Sequence, residues 1–146
     1  MKVDKTVPVL ANRAPWNELV LRGDRRVKTL PFNWKHRGPV LLYTSANRSD
    51  YRGAAENYPS IRDTPEGSIP RGAIVGWATV ADVVPTCDLP ESFYLEDPGL
   101  CATDGQAYVV VVEGPRRFKR PVPYKPPQGS VRISRAPAAL LRRKTV

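Results

Sequence analysis

Pro70-Arg71-Gly72-Ala73-Ile74-Val75-Gly76-Trp77-Ala78-Thr79-Val80 is the stretch on which the fold turns. With its continuation to Val84 it is β-branched and almost wholly apolar, and Pro85 ends it. A run of that kind reads as a long β-prone stretch, in which Gly76 permits a bend or bulge. Two further runs share its character. Val40-Leu41-Leu42-Tyr43-Thr44 follows the punctuation Arg37-Gly38-Pro39 and predicts a central strand. Ala107-Tyr108-Val109-Val110-Val111-Val112-Glu113 predicts a third, which Gly114-Pro115 is expected to stop.

Weaker elements lie around these three. The opening stretch to Ala14 shows little periodicity. Pro15 at a first-turn position, then Trp16, Leu19, Val20 and Leu21, predicts a short amphipathic helix ended by Gly23. Val27–Leu30 predicts a brief strand, Ser130–Ser134 a last β-like piece, and Ala138–Leu141 a terminal helical turn. Residues 46–68 and 86–105 are rich in Gly, Pro, Asn and Asp, so the first is expected as an excursion holding one short helix and the second as a loop. From about residue 135 the chain is expected to be a flexible basic tail. Strands separated by long loops with little helix predict one mainly-β α+β domain over residues 1–146, a small curled sheet or barrel.

A chain of 146 residues with 41% hydrophobic and 25% charged side chains can bury a real core and is not disordered by composition. Its longest apolar runs fall far below the ~20 residues of a membrane span. The start MKVDKTVPVL holds no secretory core, so a cytoplasmic location and no membrane partner are expected. Cys87 and Cys101 are too few and too far apart for a zinc site or a redox pair, and both read as reduced thiols, with a disulfide as the lesser alternative; no metal and no cofactor are expected. No nucleophile elbow or phosphate-binding glycine loop is present, and His36, between Lys35 and Arg37, reads as a surface-loop residue.

The net charge of +9 is unevenly placed: residues 1–52 carry +7, residues 53–114 carry −8, and residues 115–146 carry +10 with no acidic side chain. Cationic ends around an acidic middle suit a surface that meets a polyanion, because lysine and arginine neutralise phosphates and release counterions. Phe32, Asn33, Trp34, Lys35 and Arg37 interleave cations with flat rings, the mixture that unstacked bases and their phosphates require. Trp34 would stack on a base and Asn33 read a base edge, or a ring would plug one end of the barrel. Arg71 would clamp a phosphate or pair with the acidic middle. The clusters Arg116–Arg120 and Arg142–Lys144 offer salt-dependent, nonspecific attraction.

Three segments in this order resemble the ASCH domain of the PUA-like superfamily. They are Pro15-Trp16 through Gly23 to Arg25, Lys28 and Arg37-Gly38-Pro39; Pro70 to Val80; and Tyr108 to Glu113 followed by Phe118, Pro121, Val122, Pro123 and Gly129. The resemblance implies a small PUA-like β-barrel with flanking short helices and a cleft beside the basic glycine turn that accepts RNA or another nucleic acid. Arg22, Arg25 and Lys28 would supply its cations, Trp16 would border it, and Lys125 and Gln128 would lie near it. The family's turn reads G-x-K-x-x-E/T-x-R, whereas this chain reads Gly23-Asp24-Arg25-Arg26-Val27-Lys28-Thr29-Leu30. Arg25 keeps a cation, but Lys28 and Leu30 replace the acidic or hydroxyl residue and the arginine.

The leading reading is an RNA-binding module for single strands or exposed bases. A second is a hydrolase of RNA or a modified nucleoside in the same cleft, with Lys28, Thr29 and Tyr43 as its catalytic group and Lys28 as base. A third is a protein-interaction module whose acidic middle and basic ends choose the partner.

Overall fold

The computed structural model describes residues 5–97, 107–127 and 133–146. Its six strands are β1 (Thr6–Ala14), β2 (Val27–Leu30), β3 (Gly38–Ser49), β4 (Ala73–Pro85), β5 (Tyr108–Pro123) and β6 (Arg135–Pro137). They form one sheet in the order β2-β5-β4-β3-β1-β6, and its four short helices are α1 (Trp16–Arg22), α2 (Tyr51–Asn57), α3 (Pro59–Arg62) and α4 (Glu91–Glu96). The expected mainly-β α+β class is therefore observed. Closure is not: among the described residues β2 and β6 end the hydrogen-bonded order rather than pairing with each other.

All neighbours run antiparallel except β1 and β3. That exception explains why β1 escapes a reading by periodicity. Val7 to Leu10 are buried in succession, so no alternation of polar and apolar residues marks the strand. Helix α1 ends as expected on Gly23, whose φ of 83° is left-handed and whose N–H bonds back to Leu19 and Val20. The excursion after β3 holds two short helices, and residues 91–96 form α4 where a loop was expected.

Gly114-Pro115 does not stop β5. Thr79 faces Glu113 and Trp77 faces Arg116, so both residues sit opposite Ala78 as a bulge, with Gly114 at φ 60°. The strand then continues to Pro123. Ser130–Arg132 of the expected last strand lie outside the described residues, and the pairing beyond them starts at Arg135. The segment expected as a flexible tail from about 135 is built into the fold. Its β6 pairs with β1, Ala138–Arg142 form a 3-10 turn, and Phe118 bridges Thr145.

The pleat sorts the core onto two faces. Val40 and Leu42 join Leu10, Leu30, Val80, Val110 and Val112 beneath Val20 and Leu21 of α1. Leu41 and Tyr43 join Val7, Val9, Ile74 and Phe118 beneath Leu140 and Leu141 of the C-terminal turn. Among the described residues no helix is long and apolar enough to cross a membrane.

Candidate nucleic-acid interface

The turn after α1 sets the site. Leu19 accepts hydrogen bonds from Asp24 and Arg25, which folds the chain back over the first turn of the helix. The Arg25 guanidinium then lies 4.7 Å from the centroid of the Trp16 ring and donates to Tyr58 Oη at 2.8 Å. Tyr58 meets Trp16 edge-on, with centroids 6.1 Å apart, and donates in turn to Asp97 Oδ1. Burial above all, then that carboxylate, pushes the Tyr58 hydroxyl up to about 12, so it remains a neutral donor at physiological pH.

Lys28 completes the cluster from β2. It lies opposite Val110 and, like Leu30 two residues on, faces the core under α1. Burial holds its ammonium below the usual lysine range, and the positive charges of Arg25 and Arg13 lower it further, while Asp50 acts the other way. Asp50 is already engaged. It accepts from Trp16 Nε1 at 2.8 Å and pairs with Arg13 at 3.5 Å. Among the described residues no carboxylate lies within ion-pairing distance of Lys28. Three cations and two aromatic rings thus share one neighbourhood in which Asp50 is engaged by Arg13 and Trp16, Asp97 by Tyr58 and Asp24 by Ser60. An anion there would relieve their repulsion.

Behind this layer Asn17 is fully buried, donates to the Tyr43 carbonyl at 2.8 Å and accepts from Asn12 at 2.9 Å. It pins α1 to β1 and β3, so the turn carrying Arg25 stands on a rigid base.

The other expected site residues fall into three groups. Arg22 is occupied: it donates to Glu18 at 2.7 Å, to the Ser60 carbonyl at 2.7 Å and to Thr64 at 2.5 Å, tying α1 to α3. Arg37 is likewise engaged by Asp82 at 3.3 Å and by the carbonyls of Trp34 and His36, and Arg71 by the carbonyls of Ala46 and Asn47. Trp34 is half-buried on the core below α1 and lies 5.0 Å from the His36 ring. Asn33, Lys35 and Phe32 are exposed in the loop that starts three residues beyond Lys28, about 10 Å along the strand. Lys125 is exposed, and Gln128 lies outside the described residues.

The catalytic grouping is not assembled. Thr29 lies opposite Val109, which packs with Val27 and Leu89, so it points away from the face that Lys28 occupies. Tyr43 is buried on the second core face, with its ring edge-on to Tyr124 at 5.4 Å. Arg13, Asp50, Tyr58, Asp97 and Asn17 belong to the site and carry no local sequence signal. Each arrives from a different element.

No family model and no curated protein matches this chain. Among solved structures, the crystal structure of ASCH from Zymomonas mobilis superposes with a TM-score of 0.53 over 92% of this chain and 88% of that one, at 14% identity. The fold is ASCH-like. Two single-substitution variants of the same Zymomonas mobilis protein superpose with TM-scores of 0.52 and 0.51, at 11% and 10% identity. One covers 92% of this chain and 89% of its own, the other 89% and 88%. At that identity the ASCH-like fold is shared, and the function rests on the residues described above.

Proposed function

We propose that this chain binds RNA, as single strands or exposed bases, at the surface around Arg25, Lys28, Arg13 and Trp16. The observation that carries the reading is Lys28, a half-buried ammonium beside two guanidinium groups and without an ion-pairing carboxylate. Phosphate supplies the missing negative charge, and the exposed Phe32 ring, on the loop after β2, offers a face for a base. Arg25→Ala with Lys28→Ala is expected to weaken binding of a short single-stranded RNA about tenfold at low salt. It should also reduce the log–log salt slope by roughly 1.4, at about 0.7 per phosphate contact. No measurable affinity of the parent protein at low salt would overturn the reading.

Lys28 also separates stability from function. Its folded-state value lies below its unfolded one, so the unfolded chain holds more protons between the two, and stability rises as pH climbs through that window. Below the window the cost of the buried charge is fully present. Lys28→Met is accordingly expected to raise the melting temperature near neutral pH by about 2–4 °C while RNA affinity falls. A lowered melting temperature would show that the charge is not a burden in the free protein.

A second reading, a hydrolase of RNA or a modified nucleoside, rests on the lowered Lys28 alone, since Thr29 and Tyr43 face elsewhere. Turnover of RNA or acylated nucleosides that Lys28→Met abolishes would establish it.

A further inference from the structure

The C-terminal segment returns to β5 and makes a different charged feature. Phe118 bridges Thr145 in antiparallel sense, and Lys119 donates its N–H to the Lys144 carbonyl at 2.9 Å. That register sets Lys119 opposite Lys144, a placement of like charges that costs stability in a sheet. Arg120 continues one wall and Arg142 and Arg143 the other, enclosing a groove of ≈ 520 Å³ lined by these five cations alone. All five are exposed, and among the described residues none forms an ion pair or a side-chain hydrogen bond. Elsewhere five guanidinium groups do pair with carboxylates, as Arg13–Asp50, Arg22–Glu18, Arg26–Glu96, Arg37–Asp82 and Arg117–Glu18.

We propose that this groove is a second binding site, for the phosphodiester backbone of a nucleic acid, held without regard to base sequence. Three observations select that ligand. Five converging charges exceed what one phosphate monoester satisfies. The cations line a concavity, which a chain of phosphates can enter and a flat lipid surface cannot. No aromatic ring lines the groove, so bases find no stacking partner there and the backbone alone is gripped. The site stands independently of the Arg25–Lys28 cluster, since it shares no residue with it.

The test uses the full chain and two labelled probes of about 12 nucleotides, a single-stranded RNA and an abasic oligonucleotide, titrated by fluorescence anisotropy from about 50 to 200 mM salt. Arg142→Ala with Arg143→Ala and Lys144→Ala is expected to cut the affinity for both probes at least tenfold. The log–log salt slope should fall by roughly 2, at about 0.7 per contact. The variant should melt no lower than the parent, because repulsion is removed. Lys119→Ala with Arg120→Ala, on the opposite wall, should reproduce the loss. In contrast, Arg25→Ala with Lys28→Ala should mainly narrow the preference for the base-bearing probe. Unchanged binding of the abasic probe by both groove variants overturns the proposal. So does loss of binding to phosphatidylserine vesicles with nucleic-acid affinity intact. If the Arg25–Lys28 variant alone binds like the parent, the reading of that cluster fails and the groove remains.

Discussion

Gly76→Ala is expected to lower the melting temperature by about 10 °C or to prevent folding altogether. A Cβ built on Gly76 would stand 2.1 Å from the Arg116 carbonyl oxygen and 3.1 Å from the Leu21 side chain. The first of these is backbone, held where β4 and β5 change register on either side of Gly76. Neither strand can yield without opening the pairing that carries the middle of the sheet. Overpacking of a core usually costs about 1–3 kcal/mol, and a clash with fixed backbone belongs at or beyond the upper end. For a domain of this length that corresponds to about 6–12 °C. Gly53, in α2, has no atom within 4 Å of its would-be Cβ, and Gly53→Ala should leave stability unchanged or raise it slightly. Thermal melts of the two variants check both halves, and equal melting temperatures would refute the close-approach argument.

Glu18→Ala carries the second large loss. The carboxylate is 10% exposed and receives a two-pronged grip from Arg117, at 2.8 and 2.7 Å, together with Arg22 at 2.7 Å. Burial alone would push Glu18 up. The hydrogen bonds and charges of Arg117 and Arg22 outweigh it and hold the carboxyl below its usual range, while the same bonds raise Arg117. Removing the acid leaves two guanidinium groups facing each other between α1 and β5, a loss of about 2–3 kcal/mol for a pair not wholly buried. The pH dependence follows from the depressed folded-state value. The stabilisation is fully present above the unfolded value near 4.3 and is lost as pH falls through the folded one. Denaturant titrations between about pH 5 and pH 3 should therefore show a steeper loss for the parent than for Glu18→Gln. Parallel curves would show that Glu18 does not contribute to acid unfolding.

Elements whose cause is local were readable from sequence. The β-branched runs of β3, β4 and β5 and the left-handed glycine ending α1 need only their neighbours in the chain. β1 did not show, because burial on both faces erases the alternation by which a strand is recognised. Gly114-Pro115 carried the residues of a stop, yet β4 supplies a partner that absorbs them as a bulge. The site divides the same way. Arg25 and Lys28 lie three residues apart and are legible together, whereas Asp50 and Tyr58 reach them across more than twenty residues of intervening chain. Tyr43 was misplaced for a geometric reason: a strand's own sequence alternates its faces but does not say which face looks toward a given helix. The basic groove depended on a register, Phe118 against Thr145, that no composition specifies.

β1 lies inside the sheet, yet the strand that covers its outer edge lies near the other end of the sequence. β6 covers that edge by pairing with Thr6–Pro8, and the Arg135 guanidinium adds two hydrogen bonds to Thr6, across a separation of 129 residues. At about 5–20 residues per second of translation, the outer hydrogen-bonding groups of β1 wait roughly 6–26 s on the ribosome before their covering strand is made. A nascent chain must therefore shield a hydrophobic strand edge for that interval, and agents that bind such edges would act on this protein chiefly while it is being synthesised.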